Sequence, residues 1–499
     1  LNIAIGRRAN QNNNEGQVSQ LNLAIGDCAL YGGTGGSGSC GNIALGVAAG
    51  LSHTSGLGNI FIGCCAGKSS SCTSHNVNIG SFAGCANTTG KCNVLIGRLA
   101  GQNGTASLNT IVGDAAGQDT SGGCNAIFGS CAGCDLSTGE YNVAFGAGAG
   151  KKLHAGSCNI AIGNITAGFN NVTGNSNIMM GSRAGSKLSS GSQNIFLGGS
   201  AGRYVTSGAR NFVAGTQSSY CLSVGNDNIG IGACSNRCLT TSSNNIAIGK
   251  CAGYCNTTRH GNISIGHSAG YKVTGQDNIS IGNTISGGTG SYNIALGFGA
   301  MEASTGSASH NVVIGSHTGC KLSSSGEYNV FVGAASGKEN TTGHNNVNVG
   351  VQAGSCNQTG NRNISIGAFA NKSAVSSCRN TAVGDLAQLH ISGGNHNTAL
   401  GAWAAYSIKT GHGNVSIGNS AAWGACTGSN NVSIGGSSGP GSCTTQSGND
   451  NIFVGRQSGT NFSSGDSNVF LGACAGHGES NASANNNIGI GMNVGKCLT

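Results

Sequence analysis

The chain has 499 residues and a formal net charge of +8, and only 8% of its residues are charged. It contains 92 Gly and a single Pro, and Leu, Glu, Lys and Gln are scarce, which argues against a helical fold. No stretch approaches the roughly 18 consecutive apolar residues of a membrane helix, so no membrane span is predicted. Apolar residues recur at a regular spacing along the chain, which indicates a folded core and excludes low-complexity disorder.

A five-residue word recurs along the whole chain. It consists of Asn, a branched or aromatic apolar residue (Thr in three copies), a variable residue, a mostly aliphatic residue and Gly. The word occurs 29 times between Asn2 and Gly491. Most copies begin 17 residues after the previous one, as Asn76 does after Asn59. Self-similarity at a short period is the signature of a solenoid. The places of each repeat are numbered from this Asn, which occupies the first place.

The first predicted element of each repeat is a short strand. In Asn59-Ile60-Phe61-Ile62-Gly63 the large residues of the second and fourth places alternate with the third. Such alternation predicts that the second and fourth places face the core and that the third faces outward. Gly in the fifth place then permits a turn.

A second, tighter strand or a corner is predicted next. The eighth place is Ala in 20 of 29 copies, which favours a small side chain pointing inward. The remainder of each repeat is polar, varies in length and often contains Thr-Gly or Ser-Gly, as expected of an outer loop.

These elements predict an all-β fold, a single elongated parallel β-solenoid of about 29 rungs. Residues 1–499 should form one continuous array without separate domains, and rungs stacked at about 4.8 Å give a rod on the order of 130 Å long. The repeated Asn is expected to form a ladder of side-chain amides from rung to rung. Representative ladder residues are Asn42, Asn59, Asn76, Asn93, Asn245, Asn262, Asn346 and Asn363.

The string Asn-Ile-Ala-Ile-Gly-x-x-Ala-Gly, nearly intact at 42–50 and 245–253, resembles the repeats of trimeric autotransporter adhesin heads. It also resembles the Thr-Gly-x-x-Asn-x-x-Ile-Gly-x-x-Ala-Gly repeats of phage tail-fibre-like and bacterial surface proteins. The resemblance covers essentially the whole chain and implies a β-solenoid in an extracellular fibre or adhesin, commonly trimeric. The repeats here are longer than those of adhesin heads, and 23 cysteines exceed the few that such fibres carry.

The cysteines favour disulfides and an oxidising compartment. Cys234 and Cys251 share the seventh place of adjacent rungs, and Cys238 and Cys255 share the eleventh. Stacked equivalent positions lie within the Cα–Cα range that a disulfide accepts, so both bridges are predicted. Metal binding is the alternative, although no Cys-x-x-Cys pairs with His at zinc spacing occur.

Loop sequons suggest N-linked glycans as partners. Eight Asn-x-Ser/Thr sequons lie eleven to fourteen places into their rungs. Their presence fits a secreted glycoprotein, whereas an Asn-, Ser- and Thr-rich loop also generates sequons by chance. The candidates are Asn87, Asn103, Asn171, Asn256, Asn340, Asn357, Asn461 and Asn481.

No catalytic or cofactor-binding constellation is recognisable. The 15 Asp and Glu are scattered singly, and His residues lack a recurrent Ser or Cys partner, so an enzyme, a metal site and a cofactor are not predicted. Charge spread over so long a chain, without a dense basic run, also argues against nucleic acid. Trp403 and Trp423 lie in neighbouring rungs and form either a sugar-stacking platform or the cover of a corner.

The third place suggests a self-association surface. It is apolar in 20 of 29 copies, and an exposed apolar stripe is unexpected on a soluble monomer. The hypothesis is that this stripe packs laterally in a trimer or bundle, through residues such as Phe61, Phe196, Phe331, Phe453 and Phe470. A second hypothesis is head-to-tail stacking, because neither end of the sequence carries a recognisable polar cap.

Together these features predict a secreted or surface-exposed structural protein, the shaft or repeating subunit of an extracellular filament. The alternatives are an adhesin or phage tail-fibre shaft that binds a receptor and, third, an ice-binding solenoid. The last needs a regular array of outward Thr, yet Thr never occupies the third place.

Overall fold

The computed structural model describes residues 2–11, 20–32, 39–167, 169–285, 288–441, 447–478 and 483–495. Within these ranges the protein is all-β, with no helix and with one three-residue strand in each of the 29 copies of the word. Its strands pair in parallel, and residues in the same place of successive repeats pair with one another, as in Ile160↔Ile178 and Ile162↔Met180. The predicted parallel β-solenoid is confirmed, with one copy of the word in each turn.

Contacts divide the chain into two units, Leu1–Cys251 and Ala252–Thr499, and each is described by itself. The prediction of one continuous array without domains stays a prediction. In unit 1 the strands are β1 Ile3–Ile5, β2 Leu23–Ile25, β3 Ser39–Cys40, β4 Ile43–Leu45, β5 Gly56–Leu57, β6 Ile60–Ile62, β7 Val77–Ile79, β8 Val94–Ile96, β9 Thr110–Val112, β10 Ala126–Phe128, β11 Val143–Phe145, β12 Ile160–Ile162, β13 Ile178–Met180, β14 Ile195–Leu197, β15 Phe212–Ala214, β16 Ile229–Ile231 and β17 Ile246–Ile248.

Unit 2 repeats the same pattern in fourteen strands. They are β18 Ile263–Ile265, β19 Ile279–Ile281, β20 Ile294–Leu296, β21 Val312–Ile314, β22 Val330–Val332, β23 Val347–Val349, β24 Ile364–Ile366, β25 Thr381–Val383, β26 Thr398–Leu400, β27 Val415–Ile417, β28 Val432–Ile434, β29 Ile452–Val454, β30 Val469–Leu471 and β31 Ile488–Ile490. The second strand considered for each rung is in general a tight corner; β3 and β5 form the one two-stranded pair assigned among the described residues.

Glycine fixes the spacing between rungs. Gly198, in the fifth place, has φ 125°, and a Cβ there would lie 2.9 Å from the backbone carbon of Gly215 in the next rung. At the corner, Gly202 has φ 56°, and a Cβ would lie 2.6 Å from the ring of Phe196. Both positions therefore require Gly, because L side chains are strained at these φ values. The next rung leaves no room beside Gly198, and the ring of Phe196 in the same rung leaves none beside Gly202.

The interior is narrow and consists of three mainly apolar columns beside the Asn column. The third place supplies the largest side chains, the eighth supplies Ala, and the twelfth supplies residues such as Leu136, Leu188 and Leu222, all fully buried. The inward Ala of the eighth place is as predicted. Among the described residues no Lys, Arg, Asp or Glu is buried.

The predicted facing of the strand is wrong. The third-place side chains Phe61, Phe196, Phe331, Phe453 and Phe470 are 0–1% exposed, so they fill the core and cannot form a lateral stripe. The second and fourth places face outward and are half-buried or exposed in all 29 three-residue strands, and in β1 the third-place Ala4 is exposed as well. The reason is the Asn: successive strand residues alternate faces, so an inward first place carries the third place inward with it.

Candidate interaction surfaces

The Asn ladder is a continuous internal chain of hydrogen bonds in each unit. In Asn194 the backbone N–H and Nδ2 donate to Oδ1 of Asn177 at 2.9 and 3.0 Å, and Nδ2 also donates to the carbonyl of Gly208 at 2.8 Å. Its own Oδ1 accepts from the backbone N–H and Nδ2 of Asn211, both at 3.0 Å. One side chain thus satisfies backbone groups of two rungs, which a buried strand end requires.

The eight predicted ladder residues all take part. Each is buried, with at most 4% exposed, and each makes an inter-rung hydrogen bond through its amide or its backbone N–H. The ladder forms as the sequence predicts, and because it is enclosed it offers no surface to a ligand. The residues are Asn42, Asn59, Asn76, Asn93, Asn245, Asn262, Asn346 and Asn363.

Half of the predicted glycan acceptors are wrong. Asn87, Asn256, Asn340 and Asn357 are at most 2% exposed, because they occupy the twelfth place, which faces the core. The Asn87 amide, for example, accepts a 2.7 Å hydrogen bond from the backbone N–H of Gly90. A buried amide is inaccessible to a glycosylating enzyme in the folded chain.

The remaining acceptors stay predictions. Asn103 and Asn171 are exposed, and Asn461 is half-buried, with Nδ2 donating to the carbonyl of Gly478 at 3.3 Å. Asn481 lies outside the described residues.

The main exposed apolar feature of each unit is the outer aliphatic face, defined as the side chains in the second and fourth places of the word. The fourth place is apolar in all 29 copies and the second in 26, with Thr110, Thr381 and Thr398 the exceptions. No charged residue occupies either place in any copy. Each unit therefore carries a charge-free sheet face two side chains wide.

Parallel pairing makes this face regular. In unit 1 the fourth place runs Ile162, Met180, Leu197, Ala214 and Ile231 along consecutive strands. Neighbouring side chains cover one another, so most are half-buried, while Phe145 and Met180 remain 57% and 40% exposed. Branched and aromatic residues fit such a pleated, half-buried surface well.

The two predicted cysteine pairs differ in their surroundings. Cys234 and Cys251 are thiols in contact with one another in unit 1, and burial, followed by the neighbouring Cys234, raises the pKa of the Cys251 thiol. The Cys234–Cys251 disulfide stays a prediction. So does the bridge between Cys238 and Cys255, which belong to different units.

Two thiols of unit 1 differ sharply in environment. The Ser55 hydroxyl, helped by the Thr54 and Ser71 hydroxyls and by Lys91, lowers the pKa of the exposed Cys72 thiol. Burial, together with the charge of Asp135, raises the pKa of the Cys134 thiol to about 11.

We expect iodoacetamide to alkylate Cys72 at least about ten-fold faster than Cys134 in the reduced protein at pH 8, because the thiolate is the nucleophile. Mass spectrometry of the two peptides over time measures the rates. Ser55→Ala should slow Cys72 and leave Cys134 unchanged. Equal rates for the two cysteines would show that their environments have been misassigned.

In the part of the chain that the structure describes, Lys and Arg pair with Asp and Glu at scattered surface sites. Arg7–Asp27, Arg98–Asp114 and Arg210–Asp227 join adjacent rungs at 3.0, 2.8 and 2.6 Å, and such exposed pairs contribute little to stability. Within the described residues, no group of three or more His, Cys, Asp or Glu could hold a metal ion. In the same ranges no helix is long and apolar enough to cross a membrane.

The tryptophans of unit 2 belong to an aromatic ladder. The Tyr406 ring lies between them, 5.6 Å from Trp423 at an interplanar angle of 6° and 5.1 Å from Trp403 at 32°. Because the ring faces lie against one another, this arrangement favours the cover of a corner over a sugar-stacking platform.

No protein-family model matches the chain, and a comparison with curated proteins finds no match.

Proposed function

We propose that this protein is a structural subunit of an extracellular fibre, in which copies of the chain associate laterally through the outer aliphatic face. The observation that carries the proposal is the absence of any charge from the second and fourth places of all 29 copies. A face kept free of charge over so many repeats is unexpected on a surface that remains in water.

A second copy is the partner that best fits this face. The face repeats with the strand spacing of about 4.8 Å, so another chain with the same repeat matches it strand for strand, whereas a globular partner matches it over a short stretch only. Its lack of charge gives no complementarity to an acidic or basic partner.

The area of the outer aliphatic face in each unit is close to that of a standard protein interface. Three residues of strand span about 10 Å, so the fifteen three-residue strands of unit 1 present on the order of 700 Å² of sheet face. A standard interface buries about 800 Å² per partner. The fourteen strands of unit 2 add a similar area, so either unit alone approaches what a stable pair needs.

The interior supports a mechanical role. Each rung is hydrogen-bonded to its neighbours through backbone strands and through the Asn ladder, as at Asn177, Asn194 and Asn211. In a repeat array each rung is stabilised by the rungs next to it, so an uninterrupted ladder resists local opening. The cysteine content and the exposed sequons at Asn103 and Asn171 support a secreted, disulfide-braced glycoprotein.

Sedimentation velocity of purified protein tests the assembly. We expect the wild type to associate and the triple variant Ile162→Glu, Leu197→Glu, Ile231→Glu to sediment as a monomer, because charges on the face cannot be buried unpaired. The matched control places the same charges in the exposed sixth place. It is Ser182→Glu, Thr216→Glu, Ala233→Glu, and it should associate as the wild type does.

A second, milder variant controls for loss of association that is caused by misfolding. Ile160→Thr, Ile195→Thr, Ile229→Thr uses a residue that the second place already holds in three copies, so the fold should persist while association weakens. If the wild type is a monodisperse monomer, or if the face and control variants behave alike, the proposal is wrong.

A further inference from the structure

The positive charge of the chain is concentrated in one segment of unit 1. Residues 141–250 contain eight Lys and Arg and a single acidic residue, Asp227, which gives this segment +7 of the net +8 of the chain. Asp227 is engaged by Arg210, whose Nε and Nη2 donate to the carboxylate at 2.6 and 2.7 Å. The segment therefore carries a large excess of cations over carboxylates.

Stacking brings several of these cations onto one line. Lys187 Nζ lies 4.8 Å from the ring centre of Tyr204, and Arg203 lies 5.4 and 5.6 Å from the rings of Tyr204 and Tyr220. Arg237 lies 5.7 Å from the Tyr220 ring. These five residues, called the basic ladder here, come from four consecutive rungs and alternate cations with aromatic rings.

The basic ladder is ordered by its own contacts. The Arg203 Nη1 donates to the Tyr220 hydroxyl at 2.9 Å, and the rings of Tyr204 and Tyr220 meet edge to face at 5.0 Å. All five side chains are half-buried, so each keeps part of its surface in solvent. Cations held in fixed positions lose little entropy when they bind a ligand.

A groove of about 510 Å³ lies beside the basic ladder in the same unit. Its lining includes Lys151, Lys152 and Phe169, and Phe169 is 47% exposed. Asn170 Nδ2 donates to the backbone carbonyl of Lys187 at 2.6 Å, which joins the groove to the first cation of the ladder. The rung that begins at Asn142 thus supplies two Lys to the groove, and the rungs from Asn177 to Asn228 supply the cations of the basic ladder. The uncharged Phe169 and Asn170 lie between them along the chain.

We propose that the basic ladder and this groove bind an acidic polysaccharide that runs along the rungs. The rung spacing of about 4.8 Å is close to the length of one pyranose ring in an extended chain, whereas phosphates of duplex DNA repeat at about 3.4 Å per strand. Guanidinium groups bind carboxylate and sulfate in bidentate geometry, and tyrosine side chains, which combine an apolar ring with a polar hydroxyl, suit the C–H faces and hydroxyls of sugars. This site is separate from the outer aliphatic face.

Binding measured with defined polymers tests the proposal. The probes are heparin, polygalacturonate, neutral dextran and duplex DNA, each titrated against the wild-type protein by calorimetry at two salt concentrations. We expect at least one acidic polysaccharide to bind, with an affinity that falls as salt rises, and dextran not to bind. Duplex DNA should bind at least about ten-fold more weakly than that polysaccharide.

Charge-matched variants locate the site. Lys187→Gln, Arg203→Gln, Arg237→Gln should lower the polysaccharide affinity at least about ten-fold. The control Lys338→Gln, Arg362→Gln, Lys409→Gln removes the same charge from exposed positions of unit 2 and should change it little.

Three results would overturn the proposal: no binding of either acidic polysaccharide, equal losses in the two variants, or duplex DNA binding as tightly as the polysaccharide. A variant whose circular dichroism departs from that of the wild type is replaced by the single substitution Arg203→Gln, which removes one central cation and should still reduce affinity measurably.

Discussion

Phe196→Ala is expected to lower the free energy of unfolding by about 3–5 kcal/mol, the cost of emptying a large, fully buried apolar site. Phe196 packs tightly enough that a Cβ on Gly185 or Gly202 would lie 2.9 or 2.6 Å from its ring. The narrow interior cannot collapse around the cavity, because Gly198 and its equivalents fix the rung spacing.

Urea unfolding followed by circular dichroism measures this loss, and hydrogen exchange locates it. The matched control is Ile195→Thr in the adjacent outward place, which should cost far less because Thr already occupies this place in three copies. In a repeat array the loss of protection should spread mainly to the neighbouring rungs. If Phe196→Ala were as mild as the control, the third place would not be the core.

Asn194→Ala is expected to destabilise the protein by about 3 kcal/mol or more, because it removes hydrogen-bond partners from several buried groups at once. The backbone N–H of Asn211 loses its acceptor, and the carbonyl of Gly208 and the Oδ1 of Asn177 each lose a donor. A buried donor or acceptor left unsatisfied costs about 1–3 kcal/mol. Hydrogen exchange should show the amide of Asn211 losing protection first.

The control for the ladder is Asn171→Ala, an Asn that is exposed on the loop of the same unit. Its effect on urea unfolding should be within about 0.5 kcal/mol of zero, as for most surface substitutions. Equal losses for Asn171→Ala and Asn194→Ala would mean that the Asn ladder does not stabilise the solenoid.

The rung length, the parallel register and the Asn ladder are predictable because they follow from residues that never vary. Asn and Gly occupy the first and fifth places of all 29 copies, so identical groups meet when rungs stack. The short and nearly constant step between copies leaves room for one short strand and its corners, which fixes the solenoid class.

The facing of the strand is mispredicted because the prediction equates the size of an aliphatic side chain with burial. Ile60 and Ile62 are larger than most third-place residues, yet they lie outside while Phe61 lies inside. The sequence contains the contrary signal: an inward Asn59 places Phe61 on the same face by alternation. The third place also ranges from Gly to Phe, as in a narrow core where neighbouring rungs compensate for one another.

The twelfth place is mispredicted for a related reason. Asn87, Asn340 and Asn357 have polar neighbours typical of a loop, although Leu136 and Leu222 occupy the same place in other rungs. Counting from the ladder Asn in rungs of equal length reveals this inward column. The polar residues on either side of this column belong to a corner of the rung, and they do not indicate an exposed loop.

A search of the sequence for clusters of charged residues misses the basic ladder, because its cations are not consecutive in the chain. Lys187, Arg203, Tyr220 and Arg237 each lie one rung further along the chain than the last, so only stacking brings them together. A search for charge at the period of the repeat finds the segment, but the interleaving with tyrosine rings depends on side-chain packing.

Electron cryomicroscopy of the assembled protein shows whether chains associate through the aliphatic side chains of the second and fourth places. We expect strands of adjacent copies to face one another about 10 Å apart, with residues such as Ile162 and Leu197 interdigitated between them and the basic ladder left in solvent. A map in which copies touch through their loops or corners while this face stays open to water would contradict the account.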